Sequence, residues 1–213
     1  MAVPTLVLAT RNEGKVAEFK AGLAGLGITI LSLSDFPTCP EIEEDGETFS
    51  ANALKKARAV FAYTGLASLA DDSGLEVDAL GGAPGVLSHR FAGPEEDDAA
   101  NNAKLLALLS GQPAEARTAR FRAVLALVWG AGKETLVEGT CEGRILEKPR
   151  GEGGFGYDPL FYVPGLGRTL AELSVGEKNS ISHRGTAIKN LRPVLAELIE
   201  KGELTAHAHR GGK

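Results

Sequence analysis

VPTLVLATRNEGKVAEFKAGLAGL, residues 3–26, opens with a short apolar run over residues 3–9 and continues into a stretch where Val16, Phe19, Leu23 and Leu26 recur at helical spacing. The run has the length of a buried strand, and the periodic stretch carries one apolar face of a helix. A strand that passes through a short polar turn into a helix is how an α/β sheet begins.

The rest of the chain extends this pattern. Residues 28–33 predict a second strand, followed by an acidic loop from Glu41 to Glu47. Thr48 is placed to cap a helix running to about Tyr63, and residues 66–71 predict a third strand. Residues 81–93, with Pro84 inside and Pro94 just after, predict a loop, and 99–109 a helix. Residues 119–129 and 135–145 predict a hairpin turning near Gly130 to Gly132. Arg120 and Arg122 fall on one face of its first strand, and Phe121, Ala123, Leu125 and Leu127 on the other. A glycine-rich loop, 151–156, then feeds a strand at 160–163. A last helix is expected from about Ser182, with Ile188, Leu191, Leu195 and Leu198 inward and a kink at Pro193. The tail from residue 205 or 206 to 213, with His207 and His209, is expected to be flexible. Residues 1–205 form the single expected domain.

Composition narrows the function. A chain of 213 residues with 43% apolar content can bury a core of its own. Its formal charge of −5 and isoelectric point near 5.5 exclude a broad basic surface for a nucleic-acid polymer, so an anionic ligand would need local cations. Cys39 and Cys141 are too few for a disulfide framework and predict free thiols in a reducing compartment. No run approaches the ~20 apolar residues of a membrane span. The expected setting is the cytoplasm, without membrane contact. His89, Trp129 and the two cysteines carry no metal-binding or nucleophilic pattern.

Five places could carry chemistry. Thr10, Asn12, Gly14 and Lys15 lie where the first strand meets the first helix, where backbone N–H groups and the helix dipole favour a phosphate. The same string suits an N-cap turn with a solvated lysine, and it departs from a P-loop, which needs a second glycine and Ser or Thr after the lysine. Asp71, Asp72, Ser73 and Gly74 end the third predicted strand, the edge at which α/β sheets bind ligands. One of these carboxylates, with one from the run Glu41, Glu43, Glu44, Asp45, could hold magnesium, although turn formers and solvated acidic faces explain both strings as well. Asn52 and Lys56 are four apart and share a helix face, whereas Lys55 points elsewhere. Gly153 to Pro159 joins glycines that permit close backbone approach with two aromatics, Phe155 and Tyr157, able to stack on a base or to plug the core. Beyond it, Lys178, Ser182, His183, Arg184 and Gly185 gather donors at one helix start, where Ser182 could equally be a cap beside exposed neighbours.

In order and wording these strings resemble the Ham1/RdgB family of inosine/xanthosine triphosphate pyrophosphatases over nearly the whole chain. The carriers are LATRNEGK (8–15), EDGETFSANALKKA (44–57) and ADDSGLEVDALGGAPGVLSHRFAG (70–93), followed by RTARF (117–121), GGFGYDP (153–159) and EKNSISHRG (177–185). The resemblance implies an elongated, two-lobed α/β fold around a central mixed sheet with flanking helices, a nucleotide cleft between the lobes, and a homodimer. It further implies that Thr10, Arg11, Asn12, Glu13, Gly14, Lys15 and Lys56 hold the phosphates. Glu44 and Asp72 would bind magnesium, one ion per subunit with manganese as a substitute, and Asp72 would also accept a proton. Ser73, Phe155, Gly156, Tyr157, Asp158, Lys178, His183 and Arg184 would line the base and sugar pocket. Arg11 stands where many members carry a small residue.

The expected reaction is hydrolysis of non-standard purine nucleoside triphosphates, ITP, dITP and XTP, to monophosphate and pyrophosphate, which would cleanse the nucleotide pool. Two other readings were weighed against it. A pyrophosphatase of the Maf type, acting on modified pyrimidines, is disfavoured by the SHRG block. A nucleotide-binding regulator without chemistry has no need of Glu44, Asp72 and Lys15 together.

Overall fold

The computed structural model describes residues 3–95 and 97–204, so the expected tail lies outside the described residues. It begins with strand β1 (Thr5–Leu8), helix α1 (Glu13–Gly22) and strand β2 (Thr29–Ser32). The strands pair in parallel from Thr5 opposite Thr29 to Leu8 opposite Ser32, which completes a β-α-β unit. Leu26, expected on α1, lies beyond it. The helix closes at Leu23, and Gly25 and Gly27 turn the chain at φ of +82° and +67°, where a side chain would be strained.

Helix α2 (Phe49–Thr64) starts as the sequence predicts, with the Thr48 hydroxyl accepting the Ala51 N–H at 3.1 Å. Strand β3 (Ala67–Val77) pairs in parallel with β1 through Leu8 and Leu69 but does not stop at Asp71. It continues through Asp72, Ser73 and Gly74, and all its residues except Glu76 are buried. Asp, Ser and Gly suit a turn in isolation. Here the full burial of Leu75 and Val77 behind them outweighs the local preference.

The expected loop at 81–93 is partly ordered, because Gly85–Arg90 winds into 3-10 turns. The Ser88 hydroxyl fixes them, donating to the Gly85 carbonyl and accepting the Leu75 N–H. Helix α3 (Asp98–Leu108) follows, then strands β4 (Thr118–Gly130) and β5 (Lys133–Ile145) about a tight turn at Ala131 and Gly132. The expected alternation on β4 holds at Arg120 to Ala123 and then ends, since every residue from Ala123 to Val128 is buried. A strand covered on both faces has no polar side to display.

Strands β6 (Phe161–Val163) and β7 (Arg168–Thr169) close an open, mixed seven-stranded sheet ordered β2-β1-β3-β4-β5-β6-β7. Helix α4 (Val175–Ile181), not expected from the sequence, precedes helix α5 (His183–Glu200), which contains Pro193. The signal for α4 was present as a capping box: Ser174 and Glu177 each accept the other's backbone N–H. Ser182, extended at ψ 161°, separates the two helices and caps the second by accepting the Gly185 N–H at 3.0 Å. Gly185 packs directly on Asn179, whose carbonyl a Cβ would strike. Gly185→Ala is therefore expected to cost about 2–4 kcal/mol in chemical denaturation. An unchanged midpoint would mean that α4 can move aside.

The described residues divide into two compact units. The first draws on residues 3–72, 124–137 and 188–204, and the second on 73–95, 97–123 and 138–187. Leu6, Val7, Leu8, Phe19, Val60, Leu191 and Leu195 are among the buried residues of the first. The core of the second is built on Leu75, Val77, Leu105, Phe121, Leu160 and Phe161.

Candidate active site

In the first unit, β1 hands over to α1 through a turn that is itself hydrogen-bonded. The Thr10 hydroxyl accepts the Asn12 N–H at 3.1 Å, and the Asn12 side chain accepts the Lys15 N–H at 2.9 Å. Asn12 thus caps α1, as the turn reading required. Lys15, however, is not a solvated lysine. It is only 4% exposed, and its ammonium lies 2.8 Å from Oδ2 of Asp71. Arg11 and Glu13 are exposed, and Arg11 donates to the Cys39 carbonyl at 2.9 Å.

Asn52 and Lys56 share the buried face of α2, while Lys55 is exposed and paired with Asp45, as their spacing predicts. Lys56 gathers the acidic groups. Its ammonium lies 2.8 Å from Glu44 Oε1 and 3.6 Å from Asp72 Oδ1, and it donates to the Asp71 carbonyl at 2.9 Å. One turn earlier, the Asn52 side chain accepts the Gly46 N–H and donates to the Gly46 carbonyl, and it favours the ionised form of the Asp72 carboxyl. Asn52 therefore ties the loop that carries Glu44 to helix α2. The sequence singled out neither this role nor Asp71 as the partner of Lys15.

The cluster brings three carboxylates, Glu44, Asp71 and Asp72, against two ammonium groups. Asp72 bears the consequence. Burial pushes its carboxyl up to about 6, the like charge of Glu44 acts in the same direction, and Lys56, Asn52 and Lys15 oppose the rise. Its Oδ2 is buried without a hydrogen-bond partner. A cation-ready oxygen beside a second carboxylate fits magnesium, which takes one or two carboxylates and completes its shell with phosphate and water. Among the described residues no group of three or more His, Cys, Asp or Glu converges on a point. A magnesium site of this kind does not require one.

In the second unit, Asp158 and Lys178 form a buried ion pair at 2.6 Å, and Asp158 also accepts the Phe155 N–H at 3.0 Å. The half-buried Phe155 ring lies 4.6 Å from the Lys178 ammonium and 5.6 Å from the Arg184 guanidinium. Arg184, 1% exposed, donates to the Ser73 hydroxyl at 2.8 Å. His183 is buried rather than exposed and stacks on Phe121, with ring centroids 4.6 Å apart and planes 14° apart. Of the two aromatics in the glycine loop, Tyr157 plugs the core: its phenol donates to the Ser88 carbonyl, and burial holds its acidity well below that of a free tyrosine. Phe155 keeps the accessible ring. Both cysteines are free and buried, and burial pushes the Cys141 thiol up to about 11, which leaves it inert as a nucleophile.

Buried lysines among carboxylates suit a polyanion that arrives with a cation, and a flat ring over two donors suits a planar ligand. The class so defined is an α/β nucleotide-handling protein. Residues 6–194 match the model of the Ham1 family, and the chain belongs to that family. Proteins named dITP/XTP pyrophosphatase from Desulforamulus reducens and Geobacter sulfurreducens are 58% and 56% identical to it. The alignments cover 91% and 88% of this chain and 96% and 94% of the relatives. Among solved structures, a HAM1 protein from Coxiella burnetii superposes with a TM-score of 0.82 at 45% identity, over 91% of this chain and 99% of its own. The dITP/XTP pyrophosphatase of Mycobacterium abscessus gives 0.69 at 49% identity, over 89% and 99%.

Proposed function

We propose that this protein hydrolyses non-standard purine nucleoside triphosphates, dITP, XTP and ITP, to the monophosphate and pyrophosphate, and that it does so with magnesium. Relatives of that name span nearly the whole chain, and one observation in the chain itself carries the chemistry. Asp72 presents a buried, unpartnered oxygen beside Glu44, with Lys56 touching both carboxylates. Glu44 and Asp72 would hold the magnesium, and when bound the ion neutralises the triphosphate and draws charge from the phosphorus under attack. Asp72 takes a proton from the water whose oxygen bonds to the α-phosphorus, and the bond from that phosphorus to the pyrophosphate oxygen breaks. Lys15 and Lys56 absorb the charge that develops on the phosphate oxygens, and the N-terminus of α1 adds its dipole. The base is assigned to Phe155, with Ser73, Asp158, Lys178, His183 and Arg184 supplying the polar edge. Donors there favour a keto group over an amine, because each unmatched buried polar group costs about 1–3 kcal/mol.

The test is pyrophosphate release from dITP, XTP, ITP, ATP, GTP and dTTP, with magnesium and with EDTA. Release confined to the first three and abolished by EDTA is expected, with manganese restoring part of it and zinc little. Equal turnover of all six, or none, overturns the reading. The Asp72 carboxyl must lose its proton both to hold a cation and to accept a proton from water. The magnesium concentration for half-maximal rate is accordingly expected to rise about tenfold per pH unit below about 6 and to be flat above it. A flat profile down to pH 5 would place the metal on other ligands. No helix among the described residues is long and apolar enough to cross a membrane. The same reading carries a cytoplasmic homodimer, which light scattering and cell fractionation test.

A further inference from the structure

Gly156 is held at both of its backbone polar groups. Its N–H donates to Oδ2 of Asp98 at 2.8 Å, and its carbonyl accepts from Nδ2 of Asn102 at 3.0 Å. Asp98 and Asn102 stand one turn apart on α3 and so share a face. Among the described residues, no other hydrogen bond to this glycine is found. It sits at φ +61°, and a Cβ built on it would meet no atom within 4 Å, so packing does not define its place. Yet its neighbours are the two aromatics of the loop, Tyr157 locked into the core and Phe155 with its accessible ring over Lys178 and Arg184.

Helix α3 is itself anchored to the strip that Tyr157 grips. The Asn101 side chain accepts the Ala92 N–H and donates to the His89 carbonyl, while Tyr157 donates to the carbonyl of Ser88. A rigid frame thus runs from α3 through residues 88–92 to Tyr157, and it returns to Gly156 through Asp98 and Asn102. Phe155 lies at the end of that frame, with its own N–H tied to Asp158.

We propose that Asp98 and Asn102 are positioning residues that set where the Phe155 ring stands, and that they thereby control binding of the purine base without touching it. The inference rests on the assignment of the base to Phe155. Asp98→Ala is expected to raise the KM for dITP about tenfold, the size of one lost base–aromatic contact, with kcat held within about twofold. Asp98→Asn keeps an acceptor oxygen and is expected to restore KM to within about twofold of wild type. Phe155→Ala should raise KM to a similar extent, and Asp98→Ala added to it should raise KM no further, because the residue it positions is gone.

Additive effects in that double variant, or a fall in kcat at unchanged KM, would overturn the proposal. Asn102→Ala provides an independent arm should Asp98→Ala fold poorly, and it is expected to raise KM in the same way. Hydrogen–deuterium exchange separates this inference from the proposed function. Loss of the Asp98 side chain, which accepts the Gly156 N–H, must speed exchange of that amide whatever the substrate, and unchanged exchange sinks the clamp. A wild-type protein that released no pyrophosphate from dITP would sink the functional reading instead.

Discussion

Asp72→Asn is expected to cut pyrophosphate release from dITP roughly a thousandfold and, in the metal-free protein, to raise stability at neutral pH by about 1–3 kcal/mol. The loss of rate follows if Asp72 is, as proposed, both a metal ligand and the proton acceptor, since the substitution removes both roles while leaving the shape of the side chain intact. The gain follows from burial. At neutral pH the carboxyl is ionised in the folded and the unfolded chain alike, and the folded state bears the cost of a desolvated charge, which is why the group titrates near 6 rather than in the usual carboxylate range. The 3.6 Å contact with Lys56 that the substitution weakens is long, and Lys56 keeps Glu44. Below the ordinary carboxylate range both states are protonated, so the gain should shrink as pH falls through about 6. Denaturant titrations at pH 7.5 and pH 4, beside steady-state rates, check both halves. Retained turnover would end the proton-acceptor role. Lost turnover with lost stability would make the defect one of folding.

Lys178→Ala is expected to have the largest effect on stability, about 3–5 kcal/mol, seen as a melting temperature roughly 10 °C lower. Asp158 and Lys178 are 2% and 3% exposed, so removing the ammonium takes the 2.6 Å counter-ion from a carboxylate held away from water. That penalty, rather than the worth of the 2.6 Å contact, sets the size of the loss. By contrast, breaking the exposed Arg120–Glu142 pair is expected to be nearly silent in the same melt. A small loss for Lys178→Ala would show that solvent enters the site when the ammonium leaves.

The parts of this architecture that depend on neighbours in sequence were legible in advance. Thr48 as a cap, Asn52 and Lys56 on one helix face with Lys55 turned away, and the tight turn between β4 and β5 all follow from spacing and residue type. The parts that depend on distant partners were not. Asp71 reads as a turn former until the burial of Leu75 and Val77 and the approach of Lys15 are known. Glu44 is one acid among several, and its contact with Lys56, twelve positions away, sets it apart. Resemblance named Glu44 and Asp72, but the hold of α3 on Gly156 spans more than fifty residues and leaves no local mark. Helix α4 is the exception, since its capping box is a purely local signal in the sequence.

Most binding residues of α/β proteins ride on loops, which absorb insertions by bulging outward. Asp72 instead occupies the interior of β3, where consecutive side chains point to opposite faces. One residue inserted between Ala67 and Asp71 would turn the Asp72 carboxyl to the opposite face and put Asp71 in its place, taking Asp71 away from Lys15. The carboxylate proposed to accept the proton is therefore keyed to an exact residue count, while the loop around Phe155, proposed to face the base, is free of that arithmetic. Over evolutionary time such a protein can exchange one base for another far more readily than it can change the bond it breaks.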